Sequence, residues 1–220
     1  MKTRFVLLSL VVLAFASLAQ AATVYDPATD WSISNGNPNG TWSYLNGSGT
    51  LYSRSGMDSA APAAGLQWWK NPSGDDPNMT YNSTDGELVG WGIHWAPHEI
   101  GMGPSGDPNG TILRWTAPTA GDWTVNALFT RTQEVNSGGS IYVTHNNTEV
   151  FSHGVGNYLD SSTYADTLTF AAGDTLSFRV TGDAFVRPEI TISDVPEPTS
   201  VVLYATGVLG LLAYAWRKRN

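Results

Sequence analysis

The segment Trp123-Thr124-Val125-Asn126-Ala127-Leu128-Phe129-Thr130 sets Trp123, Val125, Ala127 and Phe129 on one face, with Thr124, Asn126 and Thr130 on the other. A period of two is the mark of a strand with one buried side. Outward from it, further short β-type runs occupy residues 111–115, 140–145, 166–170, 175–180 and 189–192. They recur about every ten residues, with Gly, Asn, Asp or Pro between them. Asn146-Asn147 separates two of these strands and predicts a tight hairpin, because Asn tolerates positive φ. The first half is less regular. Asn35-Gly36-Asn37-Pro38-Asn39-Gly40 forms a turn cluster between residues 31–33 and 42–45, and residues 71–87 read as loose and polar. No body segment carries a convincing amphipathic helical period, no internal repeat is visible, and no linker divides the body. The pattern predicts an all-β fold: an antiparallel β-sandwich, jelly-roll-like, with residues 23–110 supplying opening strands and long loops.

Composition narrows the function. The chain has 220 residues, with 11 Lys and Arg against 19 Asp and Glu, a net charge of −8 and no cysteine. An acidic, cation-poor chain cannot neutralise phosphates, which argues against nucleic acid as a partner. Without cysteine there are no disulfides, thiolate metal sites, iron–sulfur clusters or thiol nucleophiles. The length suits one domain.

Both ends read as addresses. Lys2 and Arg4 precede an apolar stretch over residues 5–18, and Ala19-Gln20-Ala21 offers a small-x-small cleavage site, so residues 1–21 are expected to be a secretory signal peptide. At the other end, Val195-Pro196-Glu197-Pro198-Thr199-Ser200 leads into an apolar run. Residues 199–216 contain no charge and are just long enough to cross a bilayer as a single transmembrane helix. Arg217, Lys218 and Arg219 then form a basic tail that favours the cytoplasmic side. The expected division is 1–21 signal peptide, 22–194 exported domain and 195–220 sorting signal.

This three-part tail, with its Pro196-Glu197-Pro198 triplet, short apolar span and terminal cations, resembles the PEP-CTERM sorting signal of exosortase substrates. The resemblance implies passage through the Sec export machinery of a Gram-negative-type bacterium. It also implies transient anchoring in the inner membrane, recognition at Pro196, Glu197 and Pro198 by an exosortase-type sorting protease, and delivery to the cell surface or extracellular matrix. Three stretches of the body resemble a sandwich domain seen in many proteins with such tails. These are Asp30-Trp31-Ser32 with Asn37-Pro38-Asn39-Gly40-x-Trp42-Ser43-Tyr44, then Arg114-Trp115-Thr116-Ala117-Pro118-Thr119-Ala120-Gly121, and Ala172-Gly173-Asp174-Thr175-Leu176-Ser177-Phe178. That likeness implies an extracellular jelly-roll-like module and brings no catalytic residues with it.

With both addresses set aside, six Lys and Arg remain against eighteen Asp and Glu, so the body carries about −12. Such a charge favours solubility, disfavours anionic polymers and leaves neutral sugars open. Eight of the nine tryptophans lie in the body. Most are expected in the core, and Trp68, Trp69, Trp91 and Trp95 are the candidates for stacking on a glycan. Trp68 and Trp69 are adjacent, so a strand there turns one of them outward. Asp75, Asp76, Asp107 and Asn109 lie in turn-forming stretches with hard oxygen ligands, as calcium favours, although Asp and Asn also populate turns for local hydrogen bonding. No other cofactor is expected. His94-Trp95-Ala96-Pro97-His98-Glu99 holds two histidines, yet Pro97 breaks the helix that would align them as metal ligands, and structural hydrogen bonding is the expected role. Gly-x-Ser-x-Gly is absent, and no carboxylate pair can be singled out among eighteen acids. The sequence therefore predicts a non-enzymatic surface or matrix module that is structural or contacts extracellular polysaccharide. A secreted hydrolase of polysaccharide or peptide, working through a carboxylate or metal site, is the alternative.

Overall fold

The computed structural model describes residues 22–72, 74, 77–104, 108–135, 138–195 and 216–218. The chain divides into a body, Val24–Ser193, and a second unit made of Met1–Thr23 and Asp194–Asn220. The expected signal peptide, Pro196, Glu197, Pro198 and Arg219 lie outside the described residues, as does all of the expected span except Trp216. Trp216, Arg217 and Lys218 are described and exposed. Among the described residues no helix is long and apolar enough to cross a membrane.

Within the body the described residues form strands only. In chain order they are β1 Val24–Tyr25, β2 Trp42–Asn46, β3 Arg54–Met57, β4 Leu66–Lys70, β5 Asn78–Asn82, β6 Leu88–Gly90, β7 Ile93–Trp95 and β8 Ile100–Gly103. They continue with β9 Thr111–Thr116, β10 Gly121–Arg131, β11 Gly138–His145, β12 Thr148–Val155, β13 Ser161–Phe170, β14 Thr175–Asp183 and β15 Val186–Asp194. One sheet runs β13-β10-β15-β8-β5-β4-β3, with β1 on β15; the other runs β12-β11-β14-β9-β2. From β8 onward the chain crosses repeatedly between the sheets, giving the jelly-roll-like weave expected of an antiparallel sandwich. A third, two-stranded sheet is the β6–β7 hairpin.

The alternating segment that predicted the fold is the centre of β10, whose Trp123, Val125, Ala127 and Phe129 all enter the core. Facing them from the other sheet are Trp42, Tyr44, Leu113, Trp115, Leu176 and Phe178. The register shows why. Trp42 pairs with Trp115, and Trp115 with Leu176, so one inward row crosses three strands. Burying this aromatic row supplies apolar cohesion to a body that has no cysteine for disulfides.

Ahead of the turn cluster, Trp31 packs its ring on Tyr44 and Tyr81, at 4.8 and 5.7 Å between centroids, and its Nε1 donates to Gln67 Oε1. One expectation needs correction. The stretch read as loose, 71–87, contains β5, whose Met79 is fully buried between Trp69 of β4 and Met102 of β8. A five-residue central strand written Asn-Met-Thr-Tyr-Asn carries too few apolar side chains to stand out from polar loop sequence. By contrast, the Asn146-Asn147 hairpin forms as expected, with φ of 48° and 67°.

Candidate functional site

The larger sheet turns one face to the core. Its other face, across β3, β4, β5 and β8, carries two cross-strand rows: Gly56–Trp68–Thr80–Gly101, and Arg54–Lys70–Asn78–Gly103. The glycines in these rows allow rings to lie flat on the sheet. A Cβ on Gly56 would stand 2.5 Å from Cζ2 of Trp68, and one on Gly101 would stand 2.2 Å from Cε1 of Phe185. A second small core covers part of this face, built from Ala63, Leu66, Trp95 and Phe185 with Leu88 and Ile93 against it.

What remains open is a cleft of about 440 Å³. Its aromatic lining is Trp68, Trp91, Trp95 and Phe185, and its polar lining includes Asp58, Lys70, Asn78 and Asp183. Trp68 is oriented at its edge by Nε1 donating to Asp58 Oδ1 at 3.2 Å. The Lys70 ammonium lies 4.5 Å from the ring centroid, and the Arg54 guanidinium 5.7 Å from it. Trp95 donates from Nε1 to Thr80 Oγ1 at 3.2 Å and meets Phe185 edge-on.

Trp91 is the most exposed of these rings, at 67%. It stands at the tip of the β6–β7 hairpin, whose two-residue turn Trp91-Gly92 has φ of 52° and 72°. Both central positions of such a turn need positive φ, which suits Asn or Gly and strains a bulky side chain. A tryptophan held there, with its ring in solvent and edge-on to Trp95 at 6.2 Å, is a local conflict of the kind found at functional sites.

The hairpin is held at both ends. Buried Asn82 donates from Nδ2 to the carbonyls of Gly86 and Trp95, fixing its base. Near the tip, the His94 amide donates to Thr132 O at 2.9 Å, and the Glu134 amide donates to Gly92 O at 2.8 Å. Arg131, 2% exposed, donates its guanidinium to the carbonyls of Gly156 and Val135, so the loop behind the hairpin is tied down as well.

Three of the four tryptophans expected to contact sugar thus converge. The fourth, Trp69, faces the main core at 5% exposure and leaves no ring face for a ligand, because the neighbour of an outward residue on a strand points inward. Trp95 is also 5% exposed, so within the cleft it offers an edge; Trp68 is half-buried with Lys70 against its ring, and Trp91 is the exposed ring. Sequence reasoning missed Asp58, Lys70, Asn78 and Asp183; no local signal marks them, since Lys70 and Asn78 meet by strand pairing and Asp183 comes from the end of β14 in the other sheet.

The other candidates separate. His94 and His98 engage different carboxylates: His94 lies between Glu87 and Glu134, while His98 Nε2 meets Asp85 Oδ1 at 3.0 Å. Two further histidines also stay apart: His145 pairs across its hairpin with Thr148, and His153 with Ile141. Among the described residues no three His, Cys, Asp or Glu side chains converge as metal ligands. Asp75, Asp76 and Asp107 lie outside the described residues; the Asn109 carbonyl accepts Nε of Arg179 at 2.7 Å.

Residues 194–219 match the model of the PEP-CTERM protein-sorting motif. The chain therefore carries a sorting motif, which indicates export, membrane anchoring before exosortase processing and a cell-surface fate. No curated protein matches the chain. Solved structures similar to it include a family 35 carbohydrate-binding module from Clostridium thermocellum, at 18% identity over 79% of this chain and 98% of that one, with a TM-score of 0.34. Another is the C-terminal CBM6 of LamC from Zobellia galactanivorans, at 12% identity over 70% and 99%, with a TM-score of 0.29. Pika GITRL aligns at 14% identity over 40% and 75%, also with a TM-score of 0.29. Scores this low bear on neither fold nor ligand.

Proposed function

We propose that this protein is a non-catalytic component of the bacterial surface or extracellular matrix, exported by the Sec machinery and sorted by an exosortase. In this reading its sandwich body contacts neutral polysaccharide in the cleft above β4, β5 and β8. The observation that carries it is the convergence of Trp68, Trp91 and Trp95 on one cleft, with Trp91 kept exposed in a strained turn. Flat aromatic faces match the apolar CH faces of sugar rings, and a few polar groups at the margin fix orientation through hydroxyl hydrogen bonds. Asp58, Asn78 and Asp183 provide those groups. The body's excess of carboxylates supports a neutral rather than an anionic chain.

The test is a glycan array probed with the full chain purified in mild detergent. Binding to neutral polysaccharide that Trp91→Ala and Trp68→Ala each abolish is the expected result. A blank array from correctly folded protein overturns the reading and leaves a purely structural role.

One observation favours the hydrolase alternative: two carboxylates, Asp58 and Asp183, line the same cleft. A glycosidase of either stereochemistry needs such a pair. Release of reducing ends from a bound glycan, lost in Asp183→Asn with binding retained, would establish it in place of a binding module.

A further inference from the structure

The β6–β7 hairpin has two faces. Ile93 and Trp95 point to the cleft side, whereas His94 and its cross-strand partner Val89 point to the back. There the His94 ring meets carboxylates at both nitrogens: Nδ1 lies 3.0 Å from Glu87 Oε1, and Nε2 lies 3.3 Å from Glu134 Oε1. A neutral imidazole has one N–H and can donate to only one of them. Both contacts are satisfied together only by the imidazolium, which donates twice to two ionised acceptors.

The two carboxylates come from different parts of the chain. Glu87 precedes β6 and belongs to the hairpin itself, whereas Glu134 follows β10 and belongs to the segment against which the hairpin docks. That docking consists of the His94 amide to Thr132 O, the Glu134 amide to Gly92 O and an isolated bridge between Ile93 and Gln133. These contacts therefore sit where the charged bridge is made. Among the described residues, the other groups facing His94 are the Tyr158 ring of the 157–160 turn, 5.3 Å away, and Arg187 with Glu99, which share a small void with it. Arg187 is itself paired with Glu99 at 3.1 Å and with Glu189 at 2.9 Å, so its charge is largely compensated.

We propose that His94 is a positioning residue: as an imidazolium clamped between Glu87 and Glu134, it latches the Trp91 hairpin and makes that wall of the cleft responsive to pH. The bearing on ligand rests on the glycan-cleft reading above; the latch does not. Consistent with this geometry, the hydrogen bond to Glu87, with a further one to Glu134, raises the His94 pKa above its ordinary value of 6.5 against an opposing effect of burial. A raised value in the latched state means that protonation favours latching. The latch is therefore at full strength below about pH 6.5 and is lost as pH rises through the raised value. With the His94 side chain 23% exposed, solvent tempers the effect without removing it.

The direct readout is amide hydrogen exchange of the full chain in detergent, corrected for the intrinsic pH dependence of exchange. Between about pH 8.5 and pH 5.5, protection of the His94 and Glu134 amides should rise about fivefold, the size of one solvent-screened ionic hydrogen bond. The Val125 amide in β10 serves as the unchanged control. In His94→Gln the two amides should show equal protection at both pH values. Glu134→Gln, which keeps the histidine, should flatten the response as well and covers the case in which His94→Gln folds poorly. Equal protection in the wild-type chain at both pH values, or a pH response that survives in both variants, overturns the latch. A blank glycan array alongside a pH response that both variants abolish would refute the cleft reading and leave the latch standing.

Discussion

Replacing Trp91 by Asn separates the cost of its conformation from the use of its ring. The turn puts Trp91 at φ 52°, where a bulky L-residue pays about 1–2 kcal/mol relative to the ordinary regions. Asn is among the residues that accept this region readily, so the substitution relieves most of that strain. It also removes the edge-to-face contact with Trp95 at 6.2 Å, which contributes about 0.5–1.5 kcal/mol. The two effects oppose each other and nearly cancel. Net stability should change by less than about 1 kcal/mol, a Tm shift within about 4 °C for a domain of this size. Binding has no such compensation. Loss of a central aromatic contact costs about 2 kcal/mol, close to a thirtyfold rise in Kd. Thermal melts followed by calorimetric titration with the strongest array ligand measure both quantities. A Tm fall beyond about 10 °C would show that Trp91 is structural, and unchanged affinity would show that the cleft is not where the glycan sits.

Three further predictions address the floor, the core and the address. Gly56→Ala puts a methyl 2.5 Å from Trp68, so the ring must lift from the sheet; affinity should drop while stability falls by about 1–2 kcal/mol, read by titration and chemical denaturation. Trp115→Ala empties a fully buried site in contact with Tyr25, Trp123 and Phe170 and should cost about 3–5 kcal/mol, visible as a lower denaturation midpoint at unchanged slope. Deleting residues 196–219 should leave the body exported but absent from the surface fraction, and fusing them to an exported reporter should redirect it; surface delivery of the deleted form would refute sorting through the matched motif.

Much of the architecture was legible because strand burial writes itself locally. The alternation in β10 survives as Trp123, Val125, Ala127 and Phe129 in the core, and Asn146-Asn147 makes the turn its chemistry permits. Legibility failed where an element borrows its environment from neighbours. β5 is a central strand with polar composition because one of its faces supports the cleft rather than a core. Trp31 carries no local mark of its place, which is against the rings of Tyr44 and Tyr81. At the site, the tryptophans could be named from their density and the opposite facing of Trp68 and Trp69 could be deduced, but not which of the two would be outward.

The division follows from range. Export address, all-β class, acidic body and tight hairpin depend on residues within a few positions of one another, and one chain displays them directly. The cleft depends on cross-strand register. Gly56, Trp68, Thr80 and Gly101 form one row only because β3, β4, β5 and β8 pair as they do, and a slip of one residue would turn that row into the core. His94 likewise acquires its second carboxylate from a segment forty residues away, Glu134, when the hairpin docks. Such long-range pairings are set by packing of the whole sandwich, which is why the sorting motif was readable in the sequence and the cleft emerged only on folding.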